Sequence, residues 1–266
     1  MTTNEWRKKF QDLPSVQRKA QPFSIRAKSD NNTLAILIHG FTSSSYEMSS
    51  LADFLAEQGI DVETVLVAGH GRTLDDLASS TVEDWLSSLN DVIERNQNYK
   101  YIFIVGYSFG ANLAIHTAID NPKITGVVSL GLPVFLKNNL LIRLVCPFFR
   151  LFNLTYRKHW VSREKAEILA EQGCHSNIPI KGFLQFNRLL EQYTKKNVNR
   201  FNKPILIIHS RGDVISHVRS SEWLFRNIKS QDKHFFILDK YQHSLIDNTR
   251  RDFVYAKTAS FILEHR

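Results

Sequence analysis

The sequence predicts an α/β protein built on a mostly parallel sheet with helices on both faces. Short apolar runs rich in β-branched residues alternate along the chain with amphipathic stretches, which is typical of repeated strand–helix–strand units. Several of these runs are continuously apolar, as expected of strands that are covered on both sides. A chain of 266 residues with 43% hydrophobic content can bury one large domain of this kind without disulfides.

The first half of the chain supplies most of the predicted sheet. Gly59 marks the end of the first amphipathic helix and the approach to the next strand. The pattern predicts strands over 34–38, 61–67, 102–105 and 124–130, with helices over 46–58, 82–96 and 109–119. Residues 1–20 are expected to form a short helix and a tether.

The alternation stops after residue 130 and resumes near residue 204. Strands are then predicted over 204–209 and 234–238, with helices over 217–228 and 247–264. The sequence therefore predicts a core formed by residues 1–132 and 201–266, and a helical cap, residues 133–200, inserted before the last two strands. Within this insert, helices are expected over 163–171 and 183–193.

The net charge of +8 is concentrated in the insert. Residues 131–203 hold thirteen Lys and Arg against four Glu and no Asp, whereas the rest of the chain holds 21 basic and 22 acidic residues. This distribution is compatible with attraction to an anionic substrate or membrane surface, and equally with a solvated basic face. No zinc-finger, homeodomain or RNA-recognition signature accompanies the charge, so nucleic acid is not an expected partner.

The remaining composition points to a cytoplasmic protein. No apolar run follows the basic residues near the start, and no stretch of about twenty apolar residues occurs, so neither a secretory signal nor a transmembrane helix is predicted. Cys146 and Cys174 lack the spacing of a zinc site and are expected to be reduced thiols. Neither a metal nor a cofactor is expected, and peripheral contact with an anionic membrane is a hypothesis.

The most informative motif is Gly-Tyr-Ser-Phe-Gly at residues 106–110, between an apolar strand and a helical stretch. A serine at a strained strand-to-helix turn, with a small residue two positions away on each side, presents its hydroxyl above the sheet. This context favours a nucleophile elbow over a chance pentapeptide. Ser108 is therefore the candidate nucleophile.

A serine nucleophile needs a base within hydrogen-bond reach and an acid that orients the base. Asp213 and His243 each follow a predicted strand by a few residues, and they are the candidate acid and base. Asp239 is the alternative acid, but its place at a strand end favours capping or a pair with Lys240. For His243 the alternative is an ordinary surface position. Structural roles are expected for three further histidines, His116, His209 and His217.

Acyl transfer also needs two backbone N–H donors for the developing oxyanion, one just after the nucleophile and one in the loop after an early strand. Phe109 and Phe41 occupy these places. The Phe41 side chain is expected to pack on Tyr46, since the oxyanion role uses its backbone N–H alone. His70, flanked by two glycines, is expected to be a turn residue without a chemical role.

With these motifs the chain resembles the α/β-hydrolase superfamily, and within it the bacterial carboxylesterase and monoacylglycerol lipase-like serine hydrolases. The matching segments are His-Gly-Phe-Thr at 39–42, Gly-His-Gly at 69–71, the elbow, Gly-Asp at 212–213 and His-Ser at 243–244. The likeness runs from about residue 34 to the end, with the insert matched least. It implies the α/β-hydrolase fold and ester hydrolysis by Ser108, Asp213 and His243, in the chain order of this superfamily.

The insert suggests which acyl groups are accepted. Each methylene buried against an apolar wall contributes about 0.8 kcal/mol, which favours medium or long chains, as in a monoacylglycerol. The residues expected to bind the acyl chain are Leu140, Leu144, Phe148 and Phe149; packing of the cap on the core is the alternative interpretation. An acyl thioesterase or acyltransferase with the same triad, or a non-catalytic hydrolase-fold binding protein, remains an alternative function.

Overall fold

A mostly parallel sheet runs through the core of the protein. The structure, a computed structural model, describes residues 20–28, 32–137, 154–158, 161–239, 245–246 and 251–266. The strands of the main sheet are β1 Ser24–Ile25, β2 Thr33–Ile38, β3 Asp61–Val65, β4 Tyr101–Tyr107, β5 Ile124–Leu130, β8 Ile205–Ser210 and β9 Lys233–Leu238. Two further strands, β6 Thr155–Arg157 and β7 Asn177–Pro179, form a separate two-stranded antiparallel sheet. The main strands lie in the order β1-β3-β2-β4-β5-β8-β9, and all neighbours are parallel except β1 and β3. The predicted fold class is confirmed.

The register of the sheet brings several strand ends together. Ile38 of β2 pairs with Gly106 of β4, and Tyr107 of β4 pairs with Leu130 of β5. Leu130 in turn pairs with Ile208 of β8. The carboxyl ends of these four strands therefore lie at one edge of the sheet, where the loops that follow them meet.

Helices cover both faces of the sheet. They are α1 Ser49–Glu57, α2 Leu74–Ser79, α3 Val82–Arg95, α4 Phe109–Asp120, α5 Arg163–Glu171, α6 Ile180–Arg188, α7 Arg219–Asn227 and α8 Arg251–Glu264. One apolar cluster joins α1 and α8 to the sheet, and a second joins α3, α4 and α7 to the other face. In β2, Ala35 and Leu37 belong to the first cluster, and Leu34, Ile36 and Ile38 to the second. This two-sided burial explains why the strand is continuously apolar.

Two short elements of the core escape the sequence prediction, β1 and α2. The first is a two-residue edge strand, which leaves no periodicity to detect. Helix α2 does carry a signal, because Thr73 and Asp76 form a capping box in which the Thr73 hydroxyl accepts from the Asp76 N–H (3.1 Å). Helix α3 begins with the same device at Thr81 and Asp84.

The insert, residues 133–200, is described in part. Helix α5 confirms the helix predicted over 163–171. The helix predicted over 183–193 is α6 followed by a π-helical segment, Leu189–Thr194. The small β6–β7 sheet is not predicted, since strands of three residues show no clear alternation. Residues 1–19 and the apolar stretch 140–152 lie outside the described residues, as do residues 247–250 before α8.

Charged side chains of the insert bind the core. Arg188 of α6 donates two hydrogen bonds to Glu83 of α3, at 2.6 and 2.8 Å, and the Tyr193 hydroxyl donates to the same carboxylate. Burial alone would raise the pKa of Glu83, but the bonds from Arg188 and Tyr193 lower it to about 2. Arg200 pairs with Asp120 at 2.5 Å. Two basic residues of the insert, Arg188 and Arg200, are thus paired with acidic residues of the core.

Within the described ranges, no helix has the length and apolar character needed to cross a membrane. Cys174 is buried and carries a free thiol, as expected, and Cys146 lies outside the described residues.

Candidate active site

Ser108 lies in the turn between β4 and α4. Its backbone φ of 52° and ψ of −117° fall outside the regions that L residues favour, and such a conformation costs about 1–3 kcal/mol. The Ser108 N–H donates to the Leu130 carbonyl (2.7 Å), and the Ala111 N–H donates to the Ser108 carbonyl (3.0 Å). The strand, strained turn and helix expected of a nucleophile elbow are all present.

Gly106 and Gly110 allow the backbone on either side of this turn to approach closely. A Cβ at Gly106 would lie 2.4 Å from the Gly110 carbonyl oxygen, and a Cβ at Gly110 would lie 2.5 Å from the Ile38 carbonyl oxygen. Backbone atoms at these distances cannot rotate aside as a flexible side chain could. Packing therefore requires both glycines of the motif, and the second brings the start of α4 against the end of β2.

The loop after β2, residues 39–45, passes beside Ser108 and is called the oxyanion loop below. A Cβ at Gly40 would lie 3.6 Å from the Ser108 Cβ, so this backbone passes close to the candidate nucleophile. The Gly40 N–H donates to Oε2 of Glu47 (2.7 Å), which ties the loop to the turn that follows. Phe41 thus follows a residue that adjoins Ser108, and Phe109 follows Ser108 itself.

The side chains of Phe41 and Phe109 pack on each other, with their rings 5.5 Å apart. Phe41 also stacks on Phe186 of α6 at 5.1 Å. Tyr46, on which Phe41 is expected to pack, is instead exposed. The cluster is completed by Trp85 and His70. Since the rings are occupied in packing, the backbone N–H groups are what these two residues can offer to a reaction.

His70 is an uncharged member of this aromatic cluster. Its ring stacks on Phe109 at 5.4 Å. Burial holds its pKa well below the usual value, and the nearby His39 lowers it further. Nothing in this setting assigns it more than the structural role expected from the sequence.

His39 is a positioning residue that the sequence analysis misses. Its Nδ1–H donates to the Gly40 carbonyl (2.8 Å), and its Nε2 accepts from the Val67 N–H (3.2 Å). Because one nitrogen faces a carbonyl and the other an N–H, the neutral ring with its proton on Nδ1 fits this site. Burial lowers the pKa of His39 to about 4, partly opposed by the bond to Gly40. The His-Gly pair directly after a buried strand is the signal for this role.

We expect the free energy of unfolding to fall as the pH drops from 6.5 to about 4, because His39 takes up a proton in the unfolded chain first. A depressed pKa of this size corresponds to about 3 kcal/mol. Urea unfolding of wild type and His39→Gln at about pH 7 and about pH 4.5 measures it. The acid-induced loss should be smaller in His39→Gln and unchanged in His217→Gln, an exposed histidine. Equal losses in all three proteins would contradict the assignment.

Asp213 is the buried acid at this edge of the sheet. It lies in the turn after β8, where its Oδ1 accepts from the N–H groups of Ile215 and Ser216, both at 2.8 Å. Strand β8 is separated from β4 by β5 alone, so the strands that lead to Asp213 and Ser108 are about 10 Å apart. A base that bridges the two residues must therefore come from another loop.

His209 supports Asp213 from within the core. Its Nε2 lies 3.3 Å from Oδ2 of Asp213, its Nδ1 lies 2.7 Å from the Ser221 hydroxyl, and the side chain is fully buried. This contact is missed by the sequence analysis, although the four-residue spacing at a strand end gives a weak signal. Asp239, the alternative acid, is exposed and pairs with Arg211 at 2.9 Å. Its expected partner, Lys240, lies outside the described residues.

The predicted base, His243, lies outside the described residues, as do the predicted acyl-binding residues Leu140, Leu144, Phe148 and Phe149. The chain on both sides of His243 is anchored. The Leu238 carbonyl at the end of β9 accepts from the Arg211 N–H (2.9 Å), and the carbonyl of the buried Ile246 accepts from the Tyr255 hydroxyl (2.8 Å). The structure thus brings Ser108, Asp213 and both phenylalanines to one edge of the sheet, and the role of His243 stays a prediction.

Lys158 of the insert binds the oxyanion loop. Its ammonium group donates to the Thr42 hydroxyl and to the His175 carbonyl (2.7 Å), and the His175 N–H donates to the Thr42 carbonyl (2.8 Å). Thr42 has a φ of 64°, rare for a β-branched residue, so these bonds hold a strained turn. Burial lowers the pKa of Lys158 to about 8, while Glu47 and Cys174 raise it.

Two serines of the oxyanion loop also contact the insert. The Ser44 hydroxyl donates to the Gln172 carbonyl (2.6 Å), and the Ser43 hydroxyl lies 3.3 Å from the Cys174 sulfur. The polar residues that follow Phe41 are therefore partners of the insert rather than solvated loop residues.

We expect Lys158→Met to lower kcat/KM for ester hydrolysis by about 10- to 100-fold, because two charge-assisted bonds that hold the loop of Phe41 are lost. In wild type, kcat/KM should decline above a pH of about 8, as the ammonium group loses its proton. That decline should be absent in Lys158→Met. Arg157→Met is the matched control, since Arg157 is the exposed neighbour. Identical rates and pH profiles in wild type and Lys158→Met would contradict the role.

Comparison with known proteins supports one family. Residues 29–250 match the family described as serine aminopeptidase, S33. The chain is 24% identical over 231 residues to a thermostable monoacylglycerol lipase of Bacillus sp. (strain H-257), covering 86% of this chain and 90% of the relative. It is 21% identical over 245 residues to a carboxylesterase of Bacillus subtilis (strain 168), covering 91% of this chain and 96% of the relative.

The fold has counterparts among solved structures. One, described under LipS and LipT, two metagenome-derived lipolytic enzymes, gives a TM-score of 0.82 at 20% identity. The match covers 94% of this chain and 100% of that one.

Proposed function

The chain belongs to the serine aminopeptidase, S33, family of α/β-hydrolases and is a carboxylic ester hydrolase, and we propose that it cleaves esters of medium or long acyl chains through an acyl-enzyme on Ser108. The observation that carries this proposal is the strained turn of Ser108, at φ 52° and ψ −117°, between two glycines that cannot bear a side chain. Strain of this kind persists where the surrounding structure enforces it, and it is typical of active sites.

In the proposed reaction the Ser108 hydroxyl attacks the ester carbonyl while His243 takes its proton. Asp213 orients the imidazole of His243 and stabilises its charged form. The oxyanion of the tetrahedral intermediate accepts hydrogen bonds from the N–H groups of Phe41 and Phe109. Collapse releases the alcohol, which takes the proton from His243, and water then hydrolyses the acyl-enzyme by the same sequence of steps.

The surroundings of Asp213 suit this role. Oδ1 accepts hydrogen bonds from two backbone N–H groups, and Oδ2 lies 3.3 Å from Nε2 of the buried His209, so the side chain is held in place before any substrate binds. A fixed carboxylate orients an imidazole without the cost of reorganisation during the reaction.

We place the acyl chain against the insert, which we propose to be a cap, residues 133–200, over the core, residues 1–132 and 201–266. The names of the two curated relatives, a monoacylglycerol lipase and a carboxylesterase, support an ester with an apolar acyl group. The proposed contacts are Leu140, Leu144, Phe148 and Phe149. A cytoplasmic location, and peripheral contact of the basic cap with anionic membranes, remain part of the proposal.

A panel of p-nitrophenyl esters from acetate to palmitate tests the proposed substrate class. If each added methylene is buried, kcat/KM should rise by up to about fourfold per methylene until the pocket is filled. Matched acyl thioesters and an amino acid p-nitroanilide complete the panel. We expect esters of medium or long chains to be preferred. A preference for acetate would contradict the acyl pocket, and faster cleavage of the thioesters or the anilide would contradict the ester specificity.

A further inference from the structure

A second cluster of chemically active side chains lies far from Ser108. Asp232 precedes β9, His234 lies within β9, and His265 follows the last turn of α8. Nε2 of His234 is 3.1 Å from Oδ1 of Asp232, and Nε2 of His265 is 2.9 Å from Oδ2. One ligand atom from each of the three residues lies within 4.8 Å of the others. The cluster sits at the amino end of β9, opposite the edge of the sheet that carries the candidate active site.

The contacts of His265 distinguish its two ring nitrogens, Nδ1 and Nε2. Nδ1 lies 2.6 Å from the Phe261 carbonyl, which only accepts, so the proton of the neutral ring is on Nδ1. Nε2 of the neutral ring then carries a lone pair and faces a carboxylate oxygen at 2.9 Å. Nε2 of His265 and the Asp232 carboxylate therefore place two potential ligand atoms side by side. A histidine that donates one nitrogen to a backbone carbonyl has the usual orientation of a metal ligand.

The ligand atoms are held in place by the fold. The Asp232 carbonyl accepts from the Ile205 N–H (3.0 Å) and from the Ser230 hydroxyl (2.9 Å), which fixes the backbone beside the carboxylate. The His265 ring lies 4.3 Å from the Phe261 ring and is 14% exposed. Asp232 and His234 are each about half exposed, so an ion can enter and keep water on its open side.

We propose that Asp232, His234 and His265 form a site for a divalent transition metal ion, with two imidazole nitrogens and one carboxylate oxygen as ligands and water completing the coordination. Nitrogen donors of this kind favour Zn²⁺, Ni²⁺ or Cu²⁺, whereas Ca²⁺ and Mg²⁺ prefer oxygen ligands. One ligand atom from each side chain lies within 4.8 Å of the others, so small side-chain rotations would bring all three onto one ion with bonds of about 2.1 Å. The site departs from the sequence expectation of no metal, because the fold brings His265 to ligands that are distant in the chain.

The site joins the two ends of the segment that contains His243. Asp232 and His234 stand at the start of β9, and His265 stands at the end of α8, so a bound ion closes the strand, loop and helix into one unit. Because the ion binds the folded arrangement and not the separated ligands, it should stabilise the native state by mass action.

Calorimetric titration of EDTA-treated enzyme with ZnCl₂, NiCl₂ and MgCl₂ at pH 7.5 tests the proposal. We expect one equivalent of Zn²⁺ or Ni²⁺ to bind, with no saturable binding of Mg²⁺. His234→Gln and His265→Gln should each weaken this binding at least tenfold, whereas His217→Gln, at an exposed histidine outside the cluster, should not. The paramagnetic resonance spectrum of one equivalent of Cu²⁺ should show coupling to two imidazole nitrogens in wild type and to fewer in either variant.

These measurements do not depend on ester hydrolysis. Binding of equal strength in wild type and both glutamine variants would overturn the proposal, as would the absence of saturable binding to wild type. The glutamine variants keep a polar side chain of similar length, and circular dichroism melting establishes that they are folded. An enzyme without esterase activity that binds Zn²⁺ through these residues would contradict the proposed function and leave this site standing.

Discussion

Replacing Ser108 with alanine is expected to lower kcat for p-nitrophenyl esters by about 10⁴- to 10⁶-fold, to the residual rate that an oxyanion site and binding alone provide. The change removes the atom that forms the acyl-enzyme. Ser108 is 8% exposed and its backbone is strained. Alanine leaves the packing around this position unchanged, so the fold should stay intact. Steady-state kinetics on the preferred ester of the chain-length panel measures the loss.

Ser129→Ala is the matched control for this prediction. Ser129 is buried in β5, next to the elbow strand, and its hydroxyl has no hydrogen-bond partner among the described residues. It should keep wild-type kcat and a wild-type melting temperature. If Ser108→Ala retained more than about one hundredth of wild-type kcat while folded, the acyl-enzyme mechanism would be wrong.

Gly110→Ala is expected to be the second most damaging substitution. The new Cβ would lie 2.5 Å from the Ile38 carbonyl oxygen and 2.8 Å from the His39 carbonyl oxygen, where backbone must move to make room. Overpacking of this kind costs about 1–3 kcal/mol of stability or more. It also separates α4 from the oxyanion loop, and a shift of about 1 Å in such a site costs about 100-fold in rate.

Urea unfolding and ester kinetics on the same preparation separate the two effects of Gly110→Ala. Gly182→Ala is the comparison, since Gly182 lies in α6, where alanine is a better helix former, and the nearest atom to the new Cβ, the Leu77 carbonyl oxygen, is 3.1 Å away and must shift by only a few tenths of an ångström. We expect Gly182→Ala to lose much less stability and activity than Gly110→Ala. Wild-type stability and activity in Gly110→Ala would show that α4 and β2 are not packed as described.

Much of the sheet could be predicted from the sequence because its strands are buried on both faces. Leu34 to Ile38 in β2 face two apolar clusters in alternation, and this leaves an uninterrupted apolar run in the sequence. The elbow can also be predicted from the sequence, because close backbone contacts near Ser108 require glycine at two positions of the motif. Features that depend on neighbouring residues, such as these, can be recognised in a short stretch of sequence.

The rest depends on contacts between distant parts of the chain. Nothing in the sequence near Lys158 shows that its ammonium group binds Thr42. The spacing of His209 and Asp213 gives only a weak signal of their proximity, and none of the contact between His209 and Ser221. The three-residue strands β6 and β7 form because they pair with each other, and they are too short to show an alternating pattern in the sequence. The order of residues along the chain is enough to suggest Asp213 as the acid. Its burial and its backbone hydrogen bonds can be seen only in the folded structure.

The most direct test of the proposed mechanism is covalent trapping of the nucleophile. The enzyme is treated with a fluorophosphonate, which phosphonylates activated serines, and the modified residue is located by tandem mass spectrometry of tryptic peptides. The mechanism predicts a single adduct on Ser108 that forms in proportion to the loss of esterase activity. Full loss of activity with the adduct on another residue, or full modification of Ser108 with activity retained, would contradict it.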